Sequence, residues 1–449
     1  MPHIVLLGTC DTKLQELLYL RSQILSFDSS SLSSSNTNNT KVTLVDVGRS
    51  PTHNEFITIT QETLTSQHHS SPSSPSKENL DPSTLPRGDV IKYMTLCASN
   101  WLRTAYQRGL EDPEHALHAI ISAGGTGGTA LASAVMRDVL PIGFPKFIVS
   151  TAASGDTGPI VGECDIALIY SVVDIAGRNE VLDRVLGNAA GGVWGMGRAY
   201  QKKVDEEREK DGRGKRKIRL GITMFGVTTP GVDKIRSHLE TISSTSAYDF
   251  EPFIFHCTGH GGLAMERLVA QNSLDAIIDL TTTEVCDLVA GGVMSAGPRR
   301  LEAALHKGIP CIISLGATDM VNFGPKETVP ERYTKMGQER LLYEHNPTVT
   351  LMRTSVEECR MVGEFIADKV RRFAKHREMV KVVLPLGGVS MLSTSGGPFW
   401  DVEADEALFG AVRDGLKGCG VEVVEDERDV NDEGFARDVA ARLLGLLGL

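Results

Sequence analysis

Four glycines and two threonines stand together at Gly124, Gly125, Thr126, Gly127, Gly128 and Thr129, after an apolar run at 119–123 and before a helical pattern over 129–139. Glycines let backbone amides approach an anion closely, a helix N-terminus points at it, and Thr126 and Thr129 add hydroxyl donors. That is phosphate-cradle chemistry, set against the plainer reading of tight turns that pack a helix on a strand. The run also fits G-x-G-x-x-A from Gly125 to Ala130, but the next apolar run leads into Ser150, Thr151, Ser154 and Gly155. A ribose-reading carboxylate for NAD is missing there. No G-x-x-x-x-G-K-[ST] occurs, which removes the P-loop ATPases.

Other polar clusters close neighbouring apolar runs: Gly8, Thr9, Cys10, Asp11, Thr12 and Lys13 the first, Asp46 and Gly48 the second, Thr151, Ser154, Gly155 and Asp156 the fourth. In an open α/β sheet such ends share one edge, where ligands bind. Lys13 would pair with phosphate oxygens, and Asp11, Asp46 or Asp156 would hold Mg²⁺ directly or through water. Singly, Asp11 or Thr12 reads equally well as a helix cap and Asp46 as a turn residue. No base or arginine finger is fixed by spacing, with Arg103, Arg137 and Arg178 all eligible.

The second half has its own clusters at 258–262, 281–284 and 316–319. His260 and Glu284 are the candidate catalytic pair, an acid and base around a carbonyl or hydroxyl substrate, with the alternative that Glu284 caps a helix and His260 bonds nearby backbone. Cys10 and Cys257 stand beside the two clusters without a local base, so packing competes with a nucleophilic role.

The elements that must position these residues alternate. Strand-like runs at 3–7, 41–47, 119–123, 146–151 and 166–172 are separated by helical patterns at 13–25, 92–108 and 129–139. A second series of strands follows at 218–224, 252–257, 276–280, 310–315, 348–352, 381–386 and 421–425, with helices near 232–239, 264–271, 356–372, 404–416 and 432–447. The expected fold is α/β, two Rossmann-like doubly wound domains with mainly parallel sheets. Residues 1–199 form the nucleotide-binding domain, 200–217 a charged linker and 218–449 the C-terminal domain. Ser-rich stretches at 28–40 and 64–86 read as disordered insertions. The glycine-rich stretch 174–200 reads as a helix start followed by close contacts, an interdomain or dimer seam or a turn-rich bridge.

Composition limits the partners. A net charge of −11 and 6% aromatic residues give neither a basic footprint nor a stacking platform for nucleic acid. No apolar run reaches the roughly 20 residues of a membrane span, and the N-terminus lacks a basic leader. Eight cysteines without a C-x-x-C pair suggest neither disulfides nor structural zinc. The expected location is cytoplasmic.

The motifs GTCDTK at 8–13, VDVG at 45–48, GGTGGT at 124–129, STAASGDTGP at 150–159, YSVVDIAGRN at 170–179, FGVTTPG at 225–231, FHCTGHGG at 255–262 and TTTEV at 281–285 occur in this order. Together they resemble the Tm-1-like ATP-binding domain family over residues 3 to about 447. The resemblance implies two Rossmann-like domains with a cleft between them, ATP with Mg²⁺ at the first, and a homodimer. It implies nucleotide contacts from Gly8, Thr9, Asp11, Lys13, Asp46, Gly124, Gly125, Thr126, Gly127, Gly128, Thr129, Thr151, Ser154 and Gly155. The family's plant namesake continues into a further domain, so its antiviral role is not expected to transfer. Two alternatives to plain ATP binding stay open. One is an interaction protein regulated by ATP, and the other an enzyme on a small phosphorylated metabolite using His260 and Glu284.

Overall fold

The computed structural model describes residues 2–29, 40–70, 79–210, 215–335 and 339–449. The chain divides into two units, 1–213 and 214–449. In the first unit the strands are β1 (His3–Gly8), β2 (Lys41–Asp46), β3 (Ile57–Ile59), β4 (Ala119–Gly124), β5 (Lys146–Ser150) and β6 (Ile166–Tyr170). They form one parallel sheet in the order β3-β2-β1-β4-β5-β6. Its helices are α1 (Cys10–Ser29), α2 (Gln61–Gln67), α3 (Arg87–Glu111), α4 (Thr126–Val139), α5 (Gly158–Val161) and α6 (Glu180–Lys210).

Because side chains alternate across a strand, the near-continuous apolar runs feed two cores. Val5, Leu7, Val45, Ile120 and Ile148 meet the residues of α3 and α4 on one face. Ile4, Leu6, Leu44, Ile121 and Val149 meet α1 and α6 on the other.

The glycine-rich stretch 174–200 is mostly the start of α6, packed inside this unit. A methyl on Gly191 would stand 3.2 Å from the Phe27 ring, and one on Gly192 3.1 Å from Phe147, so the small residues admit aromatic neighbours. The stretch read as a charged linker is helical through Lys210, and Tyr200 packs edge-on against Phe144 at 5.2 Å. Of the Ser-rich stretches, 30–39 and 71–78 lie outside the described residues. The flanking sequence is ordered by Thr40, which is buried, and by α2, whose Thr60 side chain caps Thr63 N–H.

In the second unit the elements are β7 (Arg216–Met224), α7 (Thr229–Thr245), β8 (Tyr248–His256), α8 (His260–Ala270), β9 (Ala276–Thr281), α9 (Glu284–Ala290), α10 (Glu302–Lys307), β10 (Cys311–Gly316), β11 (Met320–Phe323), β12 (Leu342–Asn346), β13 (Val349–Arg353), α11 (Val356–Phe373), β14 (Val380–Pro385), α12 (Val402–Leu416), β15 (Glu422–Asp426) and α13 (Glu433–Leu446). Six strands form a parallel sheet ordered β15-β14-β10-β9-β7-β8. The strand expected at 348–352 belongs instead to a small antiparallel sheet, β11-β13-β12.

Both large sheets are doubly wound, and each reverses its strand order once, between β1 and β4 in the first and between β7 and β9 in the second. Those reversals open a crevice at the carboxyl ends of the strands. No described helix is long and apolar enough to cross a membrane.

Candidate functional site

At the first reversal lies a cleft of about 500 Å³ whose lining residues all belong to the first unit. One wall is the turn from β1 into α1, with Thr9, Asp11, Thr12 and Lys13. Facing it is the turn from β4 into α4, with Gly125, Thr126, Gly127 and Gly128. Val47, Val90, Ile91 and Leu131 supply apolar surface, and Arg49, Arg87 and Asp174 add charge.

The amides of Thr126, Gly127 and Gly128 open α4, where a helix has no internal acceptors. Gly125, the capping residue, offers no side-chain acceptor either, so among the described residues no side chain caps these N–H groups, the arrangement that suits an anion. Gly124 and Gly128 approach closely: a methyl on Gly124 would stand 3.4 Å from the Gly128 Cα. α1 is kinked at Lys13, whose φ of −133° lies outside the helical range.

Two aspartates stitch the adjoining loops. Asp46 is fully buried, and its Oδ1 accepts the N–H groups of Cys10 at 3.0 Å and Gly48 at 2.8 Å. Burial pushes its carboxyl up to about 6, against the pull of those two bonds. Asp11 Oδ2 accepts from Arg49 N–H at 2.9 Å and Ser50 N–H at 3.2 Å, while among the described residues Asp11 Oδ1 has no partner. Gly48 is required there, since a methyl would meet Asp11 Oδ1 at 2.7 Å. Arg49 fixes the start of α3 by donating to the carbonyls of Ser83 and Leu85.

Several residues carried over by resemblance support the cleft without lining it. Gly8 makes room for Leu17, which a methyl would meet at 2.5 Å. The Thr129 hydroxyl is buried and bonded to Ser150 Oγ at 2.6 Å, so it ties two turns together and offers a ligand nothing. Thr151 stands beside Gly125, with its Oγ1 3.8 Å from where a methyl would be, whereas Ser154 and Gly155 are exposed on the following turn. Arg49, Arg87 and Asp174 escaped the sequence reading because only tertiary folding brings them here. The one hint was Arg87 directly after Pro86, at a helix start.

In the second unit the expected acid–base pair does not form. Glu284 is buried, its Oε1 accepting Gly259 N–H at 2.8 Å and Gly262 N–H at 3.0 Å, and its Oε2 accepting Arg300 Nε at 2.7 Å. Arg300, also buried, binds Asp279 with both terminal nitrogens, at 2.5 and 2.6 Å. The Glu284 carboxylate is thus consumed as an internal cap on α8, while the His260 side chain is exposed. Cys10 and Cys257 are buried and their thiols pushed up, first by burial and then by Asp46 and Glu284 respectively, which favours packing over nucleophilic chemistry. Among the described residues no three His, Cys, Asp or Glu side chains converge as a metal site.

The family model described as Uncharacterised protein family (UPF0261) N-terminal domain matches residues 2–202, and its C-terminal domain counterpart matches 217–447. A UPF0261 protein of Clostridium tetani is 45% identical over 334 residues, 74% of this chain and 77% of that protein. One from Rhizobium meliloti is 38% identical over 443 residues, 98% of each. The ToMV resistance protein Tm-1 of Solanum lycopersicum is 38% identical over 442 residues, covering 97% of this chain but 54% of the tomato protein. The chain therefore spans about half the length of that relative.

Proposed function

The chain belongs to the UPF0261 family, and from that premise we propose that its first unit binds ATP with Mg²⁺ in the cleft between β1 and β4. The observation that carries this reading is the uncapped start of α4, whose amides at 126–128 face the same cleft as Lys13. Phosphate oxygens would sit on those amides and on Lys13, and the apolar surface of Val47, Val90, Ile91 and Leu131 would take the base.

Mg²⁺ fits the residues present. Among the described residues Asp11 Oδ1 is buried without a hydrogen-bond partner, Gly48 packs against it without a side chain, and Asp174 is on the cleft wall. Asp11 and Asp174 would hold the ion directly or through water, and the ion would neutralise phosphate charge. Asp46 acts behind them by holding the turn from β1 into α1. Binding is the activity proposed, with the protein acting in the cytoplasm as a homodimer.

The test is a thermal-shift series with ATP, ADP, AMP, GTP and NAD, each with and without Mg²⁺. A Mg²⁺-dependent shift with ATP that Gly127→Asp abolishes is the expected result. No shift with any nucleotide, from protein free of bound ligand, would remove the assignment.

A further inference from the structure

A second cavity, of about 290 Å³, lies in the first unit near the amino ends of β1 and β2, the opposite edge of the sheet from the nucleotide cleft. Its apolar walls are Ile59, Trp101 and Leu117, with Ala105 on the α3 side, and His3 and Arg108 also line it. Trp101 is nine-tenths buried, yet among the described residues its indole N–H has no hydrogen-bond partner. That N–H is not sealed off from solvent, so it stays available to an incoming acceptor.

The charge in this cavity is one-sided. Arg108 Nη2 donates to His115 Nε2 at 2.5 Å, and His115 Nδ1 donates to Asp112 Oδ2 at 2.7 Å. This relay orients the guanidinium, and among the described residues Arg108 has no carboxylate partner of its own. His3, bonded through Nε2 to Thr43 Oγ1 at 2.8 Å, is held neutral: burial, and then the charges of Lys41 and His118, lower it to about 4. Arg108 therefore supplies the cation of a mixed pocket, in which Thr43, Gln67 and His68 stand beside the apolar residues and the indole N–H is a further donor. A cavity of about 150 Å³ suffices for a benzene ring, so this one admits a ring together with a polar substituent.

We propose that this cavity binds a small flat-ringed carboxylic acid, its ring against Trp101, Ile59 and Leu117 and its carboxylate on Arg108. Guanidinium and carboxylate match in charge and planarity. The unused indole N–H would donate to a ring or carboxylate oxygen. Nothing in this site depends on the nucleotide cleft.

Benzoate is the probe, titrated into the full chain and followed by saturation-transfer NMR, with benzamide as the uncharged comparison. Benzoate should bind saturably, benzamide at least about tenfold more weakly, and Arg108→Gln should weaken benzoate by at least about tenfold, as expected for loss of a charge-assisted pair. Ala105→Leu, which narrows the cavity from α3, should block binding, and saturating ATP should leave it unchanged. Absence of saturable benzoate binding at millimolar concentration would overturn the proposal. So would equal affinity for benzamide, or binding untouched by Arg108→Gln and Ala105→Leu. Displacement by ATP would place the benzoate in the nucleotide cleft and overturn it equally.

Discussion

The turns at 124–129 and 258–262 both follow a parallel strand, are rich in glycine and open a helix, but they are completed in opposite ways. At the start of α4 no side chain caps the amides, and a cleft of about 500 Å³ stands in front of them. At the start of α8 the amides of Gly259 and Gly262 are taken by Glu284, 25 and 22 residues further along the chain. An internal carboxylate occupies in the second unit the place that a ligand's anion would take in the first. Glycine spacing sets the direction of the amides, and a distant residue decides whether they are available.

The most disruptive way to break this comparison is to pull out the internal anion. Glu284→Ala leaves Arg300 with one fewer buried partner, and losing one member of such a cluster costs about 3–5 kcal/mol. Denaturant unfolding followed by the fluorescence of Trp400 should show that loss in the second unit, with ATP binding at the first unaffected.

The converse change is Gly127→Asp. The nearest atoms to a methyl there are Ile91 Cδ1 at 3.4 Å and Arg87 Nη2 at 3.7 Å, so the fold should tolerate the side chain. A fixed negative charge among the amides should lower ATP affinity by about 100-fold or more, removing about 2.3 kcal/mol or more of the roughly 2.7 kcal/mol of ligand stabilisation at a concentration of about 100 Kd. Calorimetric titration and thermal melting should agree on it. Lys13→Ala is a finer probe. Loss of one charge-assisted contact should weaken ATP by about tenfold, measured by titration at fixed ionic strength.

The smallest expected contrast is in pH dependence. In the second unit burial raises Asp287 to about 7, and Asp319 and Asp405 to about 6. A carboxyl with a raised folded pKa keeps its proton in the native state longest, so stability is lost as pH climbs from about 4 through those values. In the first unit burial lowers His3 and His118 to about 4. There the unfolded chain takes up protons first, so stability is lost as pH falls from about 6.5 towards 4, with Asp46 partly opposing. Raising pH from 5 to 7 should therefore stabilise the first unit relative to the second. Unfolding curves read at Trp101 and Trp194 in one unit and Trp400 in the other would resolve it.

How much was legible follows the range of the signal. Strand runs and helix periods are local, so both large sheets and the two-part chain could be read from them. β3 escaped because it has three residues at a sheet edge, and the length of α6 beyond its start because its glycines, which admit Phe27 and Phe147, do not show helix until their aromatic neighbours are known. Periodicity marks the run at 348–352 as a strand but does not choose its partner, and the structure pairs it in the small antiparallel sheet. Within the candidate site, Thr9, Asp11, Lys13 and 125–128 sit in continuous motifs and do line one cleft. Asp46 and Thr129 have the right chemistry, but Thr129 spends its hydroxyl on Ser150, and Asp46 spends Oδ1 on Cys10 and Gly48 while its buried Oδ2 has no partner among the described residues. Glu284 looked catalytic for the same reason, since its consumption depends on Arg300 and two distant amides.

The central claim is that one of the two glycine turns is open to an anion and the other is filled from within. Isothermal titration of the full chain with ATP and Mg²⁺ tests it most directly, using wild type, Gly127→Asp and Glu284→Gln. The account predicts one site per chain, lost with Gly127→Asp and retained with Glu284→Gln. Wild-type affinity in Gly127→Asp, or binding that disappears only with Glu284→Gln, would contradict it.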